Sequence, residues 1–346
     1  MNKIQLKEKA SISDIAKDLG LDLATLIEFH NANSQPHEWI RRDFTVASWV
    51  NELLIPDTVE NLKEKKLQQE FPHFVNLDQK EFEERYKILQ KIDLSVAGNS
   101  LVDSETNIIW KLKKLKKYKY FTVNVQQEQH EVNYIKSMYR QLAEYMQKFN
   151  RPLEILVLAL NSDGSINSIL NQEEIKMEWD ILRSELASEM IGTLEEKNML
   201  DNGEQDFTDT LPLLKNNFLY NLFFKELFQE YHEVGKFVEI PSHTYISQIF
   251  SNEKVNLITK RKVEKEGDII KIKFYSESKN NLNQHLKRIY DSNLKDFLRE
   301  DFNYLLNWSL EYHFNKEGKL LFCQSKTKEQ ATNQYSHIME HIINIV

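Results

Sequence analysis

The sequence predicts an α+β protein in three parts: a small β-α-α-β module over residues 1–56, a charged helical connector over 57–100, and an antiparallel meander sheet packed with several helices over 101–346. Three observations carry this expectation. Runs of alternating apolar and polar residues meet at Asp163-Gly164, Glu266-Gly267 and Glu317-Gly318, and acidic-glycine pairs between such runs mark β-hairpins. Apolar residues at helical spacing interrupt the runs at 132–149, 173–190, 216–231 and 281–298. A length of 346 residues, with 41% apolar and 28% charged side chains, suits two or three globular domains.

In chain order, Ile4 to Glu8 alternates as a short strand. Ser11 or Ser13 can cap a helix carrying Ile12, Ile15, Ala16 and Leu19, which Gly20 closes. Asp22 caps a second helix with Leu23, Leu26, Ile27 and His30 on one side, and 51–56 reads as a strand stopped by Pro56. The next segment is strongly charged, with helical patterns at 58–71 and 77–92. Residues 95–106 collect Gly, Asn, Ser and Asp without periodicity and mark the expected domain boundary.

Several chemistries are excluded. The chain lacks GxGxxG, the phosphate-cradling GxxxxGK[ST] loop and the GxSxG elbow. Its single cysteine, Cys323 in an apolar run, reads as a small buried hydrophobe, so neither a disulfide framework nor a CxxC metal site is expected. His337, Glu340 and His341 fit the HxxEH pattern of inverted zinc proteases, which needs a helix to bring both imidazoles to one face. Tyr335, Ile338, Met339, Ile342 and Val346 read as that helix's apolar stripe, leaving the His/Glu face to solvent; no cofactor or metal is expected. Glu173 and Glu174 read as favourable charge at a helix start.

The basic run at 110–121 alternates so that Trp110, Leu112, Tyr118 and Tyr120 face a core while its lysines face water. An acidic protein surface, nucleic acid or lipid would be its possible partners. A formal charge of −8 opposes general affinity for polyanions. The N-terminal residues form no apolar signal-peptide core, and no apolar run approaches the length of a membrane span. A cytoplasmic protein without membrane insertion is expected, with export only through a dedicated machine.

The helix pair at 11–33 has two possible readings. As a DNA-reading helix-turn-helix, its second helix would offer Asp22, Thr25 and Glu28 and no Lys or Arg, which disfavours docking to phosphate. The flanking strands support the other reading. Ser13-Asp14-Ile15-Ala16, Gly20, Leu26, Asn31 with Asn33, and the closing Leu54-Ile55-Pro56 resemble a LysM domain across the first 56 residues. The turn after the first strand is Lys9-Ala10-Ser11, and the link before the last strand is the long stretch 34–49; both loops line the N-acetylglucosamine groove in that family.

The resemblance implies a binding module, and LysM-like modules also occur in cytoplasmically assembled phage tails and contractile injection machines. The sequence therefore reads as a non-enzymatic adaptor that docks to a protein partner, with a type VI secretion or phage-tail-like apparatus as its setting. Trp39, Arg41, Arg42 and Trp49 are the candidate docking residues, because exposed Trp and Arg most often anchor interfaces. A peptidoglycan-binding protein or cell-wall-directed effector is the alternative, with Trp39 or Trp49 as a stacking face for sugar. No catalytic residues are assigned.

Overall fold

The computed structural model describes residues 2–6, 11–34, 38–40, 50–55, 74–117, 120–190, 192–228, 230–250, 253–278 and 284–346. The chain divides into two compact units, Met1–Phe74 and Val75–Val346. The helix expected at 58–71 lies outside the described residues.

In the first unit β1 (Asn2–Gln5), α1 (Ile12–Leu19), α2 (Leu23–Asn33) and β2 (Glu52–Ile55) follow in the expected β-α-α-β order. The strands pair antiparallel, Asn2 opposite Ile55 and Gln5 opposite Glu52. Local chemistry sets the helix ends. Ser11 Oγ accepts from the Asp14 N–H at 3.3 Å, Asp22 accepts from the Thr25 N–H at 3.2 Å, and Gly20 closes α1 at φ 67°. Ile12, Ala16, Leu19, Leu26, Leu53 and Ile55 then bury against one another.

The second unit is built on an eleven-stranded sheet whose neighbours all run antiparallel. Its first meander comprises β4 (Phe82–Val96), β5 (Asn99–Lys117), β6 (Tyr120–Ile135), β7 (Ile155–Leu160) and β8 (Ile166–Ile169). The second comprises β10 (Phe237–Ile246), β11 (Lys254–Glu266), β12 (Ile269–Ser278), β13 (Leu305–Asn315), β14 (Leu320–Thr332) and β15 (Tyr335–Ile345). They join where β15 pairs with β4, giving the order β10-β11-β12-β13-β14-β15-β4-β5-β6-β7-β8. A short pair, β3 (Phe74–Asn76) with β9 (Tyr231–Glu233), forms a separate sheet beside β11, to which the Gly235 N–H ties it by donating to the Val263 carbonyl at 2.8 Å.

All three acidic-glycine turns fall where expected. Gly318 is required at its turn: φ is 73°, and a Cβ there would lie 2.3 Å from the Asp78 carbonyl oxygen. Three segments of the sheet differ from expectation. Residues 82–92, read as helix, belong to β4, and 95–106 form the β4–β5 hairpin through Ala97 and Gly98. The alternation Phe82, Tyr86, Ile88 was masked by Glu84, which takes a position on the same face and pairs with Lys319. The C-terminal segment, also read as helix, is β15. Its core face carries His337, Met339, His341 and Ile343, and its outer face carries Ile338 and Ile342, so neither face is cleanly polar and the two-residue period is hidden.

Helices supply the other layer: α3 (Arg140–Lys148), α4 (Gln172–Glu189), α5 (Leu194–Thr208), α6 (Thr210–Asn216), α7 (Phe218–Phe223), α8 (Gln284–Asn293) and α9 (Lys295–Leu298). Glu173 and Glu174 occupy the first turn of α4, as expected. The sequence did not signal α5 or α6, and the expected helices at 132–149 and 216–231 are shortened to α3 and α7. Ile175, Trp179, Leu182 and Leu186, spaced by three and four, form the buried face of α4. Tyr145, Phe149, Trp179 and Phe207 stack in a chain with centroids 5.9, 5.8 and 4.9 Å apart. The indole is seated by Gly203 of α5, where a Cβ would fall 2.3 Å from the ring. A second cluster joins Leu286 and Tyr290 of α8 to Leu257, Leu306 and Ala331.

Candidate functional site

The candidate docking loop follows α2. Asn31 clamps its end from both sides: the side-chain amide donates to the Ile40 carbonyl at 3.0 Å, and its Oδ1 accepts from the Ile40 N–H at 2.8 Å. Buried His30 adds a second tie. Its Nδ1 accepts from the Leu54 N–H at 3.0 Å, and Nε2, therefore the protonated nitrogen, donates to the Glu38 carbonyl at 3.1 Å. Between these ties stands Trp39, 49% exposed, its Nε1 donating to the Ser34 carbonyl at 3.3 Å. It is the exposed large apolar side chain among the described residues of the first unit. Arg41, Arg42 and Trp49 lie outside the described residues.

The HxxEH residues are not a metal centre of the protease kind. On a strand, side chains alternate, so His337 and His341 point into the core while Glu340 points to the opposite face. His341 stacks on Phe218 with centroids 5.4 Å apart, and burial brings its pKa down to about 4. No group of three or more His, Cys, Asp or Glu side chains placed to hold a metal occurs among the described residues.

A buried neutral histidine makes stability fall in acid. The unfolded imidazole gains a proton near pH 6.5 and the folded one only near pH 4, so the stabilisation present above pH 6.5 is lost as pH falls through that window. The expected loss at pH 4 is about 3 kcal/mol. His341→Leu, similar in volume, should remove this part of the acid sensitivity. Denaturant unfolding at pH 7 and pH 4 measures it; an unchanged pH dependence in the variant would refute the assignment.

Lys114 and Glu329 are also ionisable groups buried in the second unit. Lys114, read as one of the solvent-facing lysines, is only 5% exposed and points to the same face as Trp110 and Leu112. Its Nζ lies over the rings of Phe228, Phe121 and Phe82 at 4.7, 5.1 and 5.7 Å and has no carboxylate partner among the described residues. It borders a cavity of about 40 Å³ that Lys225, Tyr86 and Phe314 also line. Burial lowers its pKa to about 7. The neighbouring Lys111 and Lys113 do face outward, both paired with Glu83 at 2.7 and 3.0 Å, whereas Tyr120 is exposed rather than buried.

Glu329 is completely buried on β14. One oxygen accepts from Ser247 Oγ at 2.5 Å and the Tyr304 hydroxyl at 2.8 Å, and the other accepts from the Gln248 N–H at 2.8 Å. The carboxylate thereby fixes the turn between β10 and β11. Cys323 is fully buried, as its apolar context predicts.

Compared with known proteins, the chain matches no family model and no curated protein. Among the described residues, no helix is long and apolar enough to cross a membrane.

Proposed function

We propose that the protein is a non-enzymatic binding or adaptor protein whose N-terminal LysM-like module docks to a protein partner, with the sheet unit offering a second surface. The observation that carries this reading is Trp39, held half out of the module by the Asn31 and His30 clamps. A large aromatic ordered before binding loses little conformational freedom on contact, which is what an interface anchor requires. The setting in a type VI secretion or phage-tail-like apparatus rests on the LysM resemblance. A glycan reading, peptidoglycan binding by the module or by a cell-wall-directed effector, is favoured by the same exposed indole, which offers a stacking face. The helix-turn-helix reading gains nothing: the exposed residues of α2 are Ala24, Thr25, Glu28, Ala32 and Asn33, with no cation to meet phosphate.

The test is affinity capture from native lysate with the full chain, wild type and the Trp39→Ala/Arg42→Ala double variant, with insoluble peptidoglycan as a parallel bait. A defined set of proteins captured by wild type and lost with the variant, at unchanged melting temperature, is the expected result. Capture that survives both substitutions would eliminate this docking face. Sedimentation with peptidoglycan would replace the protein partner by glycan.

A further inference from the structure

The outer face of the large sheet, opposite the helices, is charge-balanced over much of its area. Lys262 and Lys273 share Glu264 at 2.8 Å each, Lys271 meets Glu266 at 2.6 Å, and Lys91 meets Glu105 at 3.2 Å. One area departs from this. The strand registers place two rows side by side across β11, β12, β13 and β14: Lys260, Tyr275, Ser309, Lys326 in one and Ile258, Glu277, Asn307, Lys328 in the other.

Short Ser309 and Asn307 stand between long Tyr275 and Glu277 on one side and the two lysines on the other. This contrast in length produces a hollow of about 400 Å³, within the usual range for small-molecule sites. Lys260, Lys326 and Lys328 form no ion pair among the described residues. Glu340, opposite Lys326 on β15, instead accepts from Gln324 at 2.9 Å. Tyr275 is half exposed and rests edge-on against exposed Phe237, with centroids 5.7 Å apart.

We propose that this hollow binds a small phosphorylated ligand bearing a planar ring, a nucleotide by chemical class. Its phosphates meet Lys326 and Lys328, and its ring lies on Tyr275. Unpaired ammonium groups at alternate positions of one strand suit a polyanion, and Asn307 and Ser309, opposite them on β13, can supply hydrogen bonds. Glu277, the acid lining the hollow, repels phosphate from the β12 side and so orients the ligand with its anion toward β14. This device needs no glycine-rich loop, and it is independent of the docking reading.

Isothermal titration of the full chain with a nucleoside triphosphate and with inorganic triphosphate, at low and moderate salt, tests the proposal. Both should bind. Lys326→Met with Lys328→Met should weaken both by roughly tenfold or more. Tyr275→Ala should weaken the nucleotide and leave inorganic triphosphate unchanged. Circular dichroism should confirm that these surface variants stay folded. Absence of binding at millimolar ligand, or binding indifferent to the lysine pair, would overturn the site. Binding of a single-stranded oligonucleotide without binding of the mononucleotide would overturn the small-ligand assignment.

Discussion

Replacing Lys114 with methionine should stabilise the fold by up to about 4 kcal/mol at pH 7. An exposed amine titrates at 10.5, and burial against three phenyl rings brings Lys114 down to about 7. The gap must be met whenever the chain folds at neutral pH, either by losing a proton or by burying a charge. For this depressed pKa the stabilisation is complete above pH 10.5 and is lost as pH falls through the window toward 7. Wild type should therefore grow more stable from pH 7 to pH 10, and Lys114→Met should lose that slope. Thermal melts across this range decide the matter. A variant no more stable than wild type at pH 7, or one retaining the slope, would show that the amine is solvated or paired.

Glu329→Ala should destabilise the second unit by about 4 kcal/mol or more, because the Ser247 and Tyr304 hydroxyls and the Gln248 N–H would be left in the core without an acceptor, at about 1–3 kcal/mol each. Glu329→Gln keeps one acceptor oxygen and should cost less. The pH dependence has the opposite sign to that of His341. Burial raises the Glu329 pKa above its ordinary value, so the stability linked to its protonated form is present below about 4.5 and is lost as pH rises through the folded-state value. Glu329→Gln should abolish that contribution. Chemical denaturation of the three proteins between pH 4 and 7 measures both effects, and a loss under 1 kcal/mol in Glu329→Ala would contradict the network described.

The first unit's elements were legible because their punctuation is local. Ser11, Gly20 and Asp22 act within one helical turn, and sequence displays such caps directly. The three acidic-glycine hairpins were legible for the same reason. Elements are illegible in the sequence where a partner distant in the chain overrides the local pattern. Glu84 interrupts the alternation of β4 because Lys319 neutralises it, and β15 accepts histidines inside because Phe218 stacks on His341. Lys114 was recoverable: counting by twos from Trp110 through Leu112 reaches it, but five neighbouring lysines in the same run made the segment look uniformly solvated. Glu329 could be placed by counting from Cys323, yet its hydrogen-bond donors are Tyr304, 25 positions earlier, and Ser247 and Gln248, 82 and 81 positions earlier, and nothing local announces them. Trp39 was identified by residue type; the Asn31 and His30 ties that hold it required the fold.

The seam between β15 and β4 also sets a timetable. Val96 and Tyr335 pair across it, 239 positions apart (335 − 96), so the two meanders meet only after everything between them has been made. At about 5–20 residues per second, synthesis leaves one edge of β4 without its neighbour for on the order of ten to fifty seconds. During that interval the hairpins of the first meander can form from nearby contacts, while their exposed edge stays open to any other extended chain. The middle of the finished sheet is thus its last-made joint, and the strand edge left open during synthesis becomes the seam at which the two meanders pair.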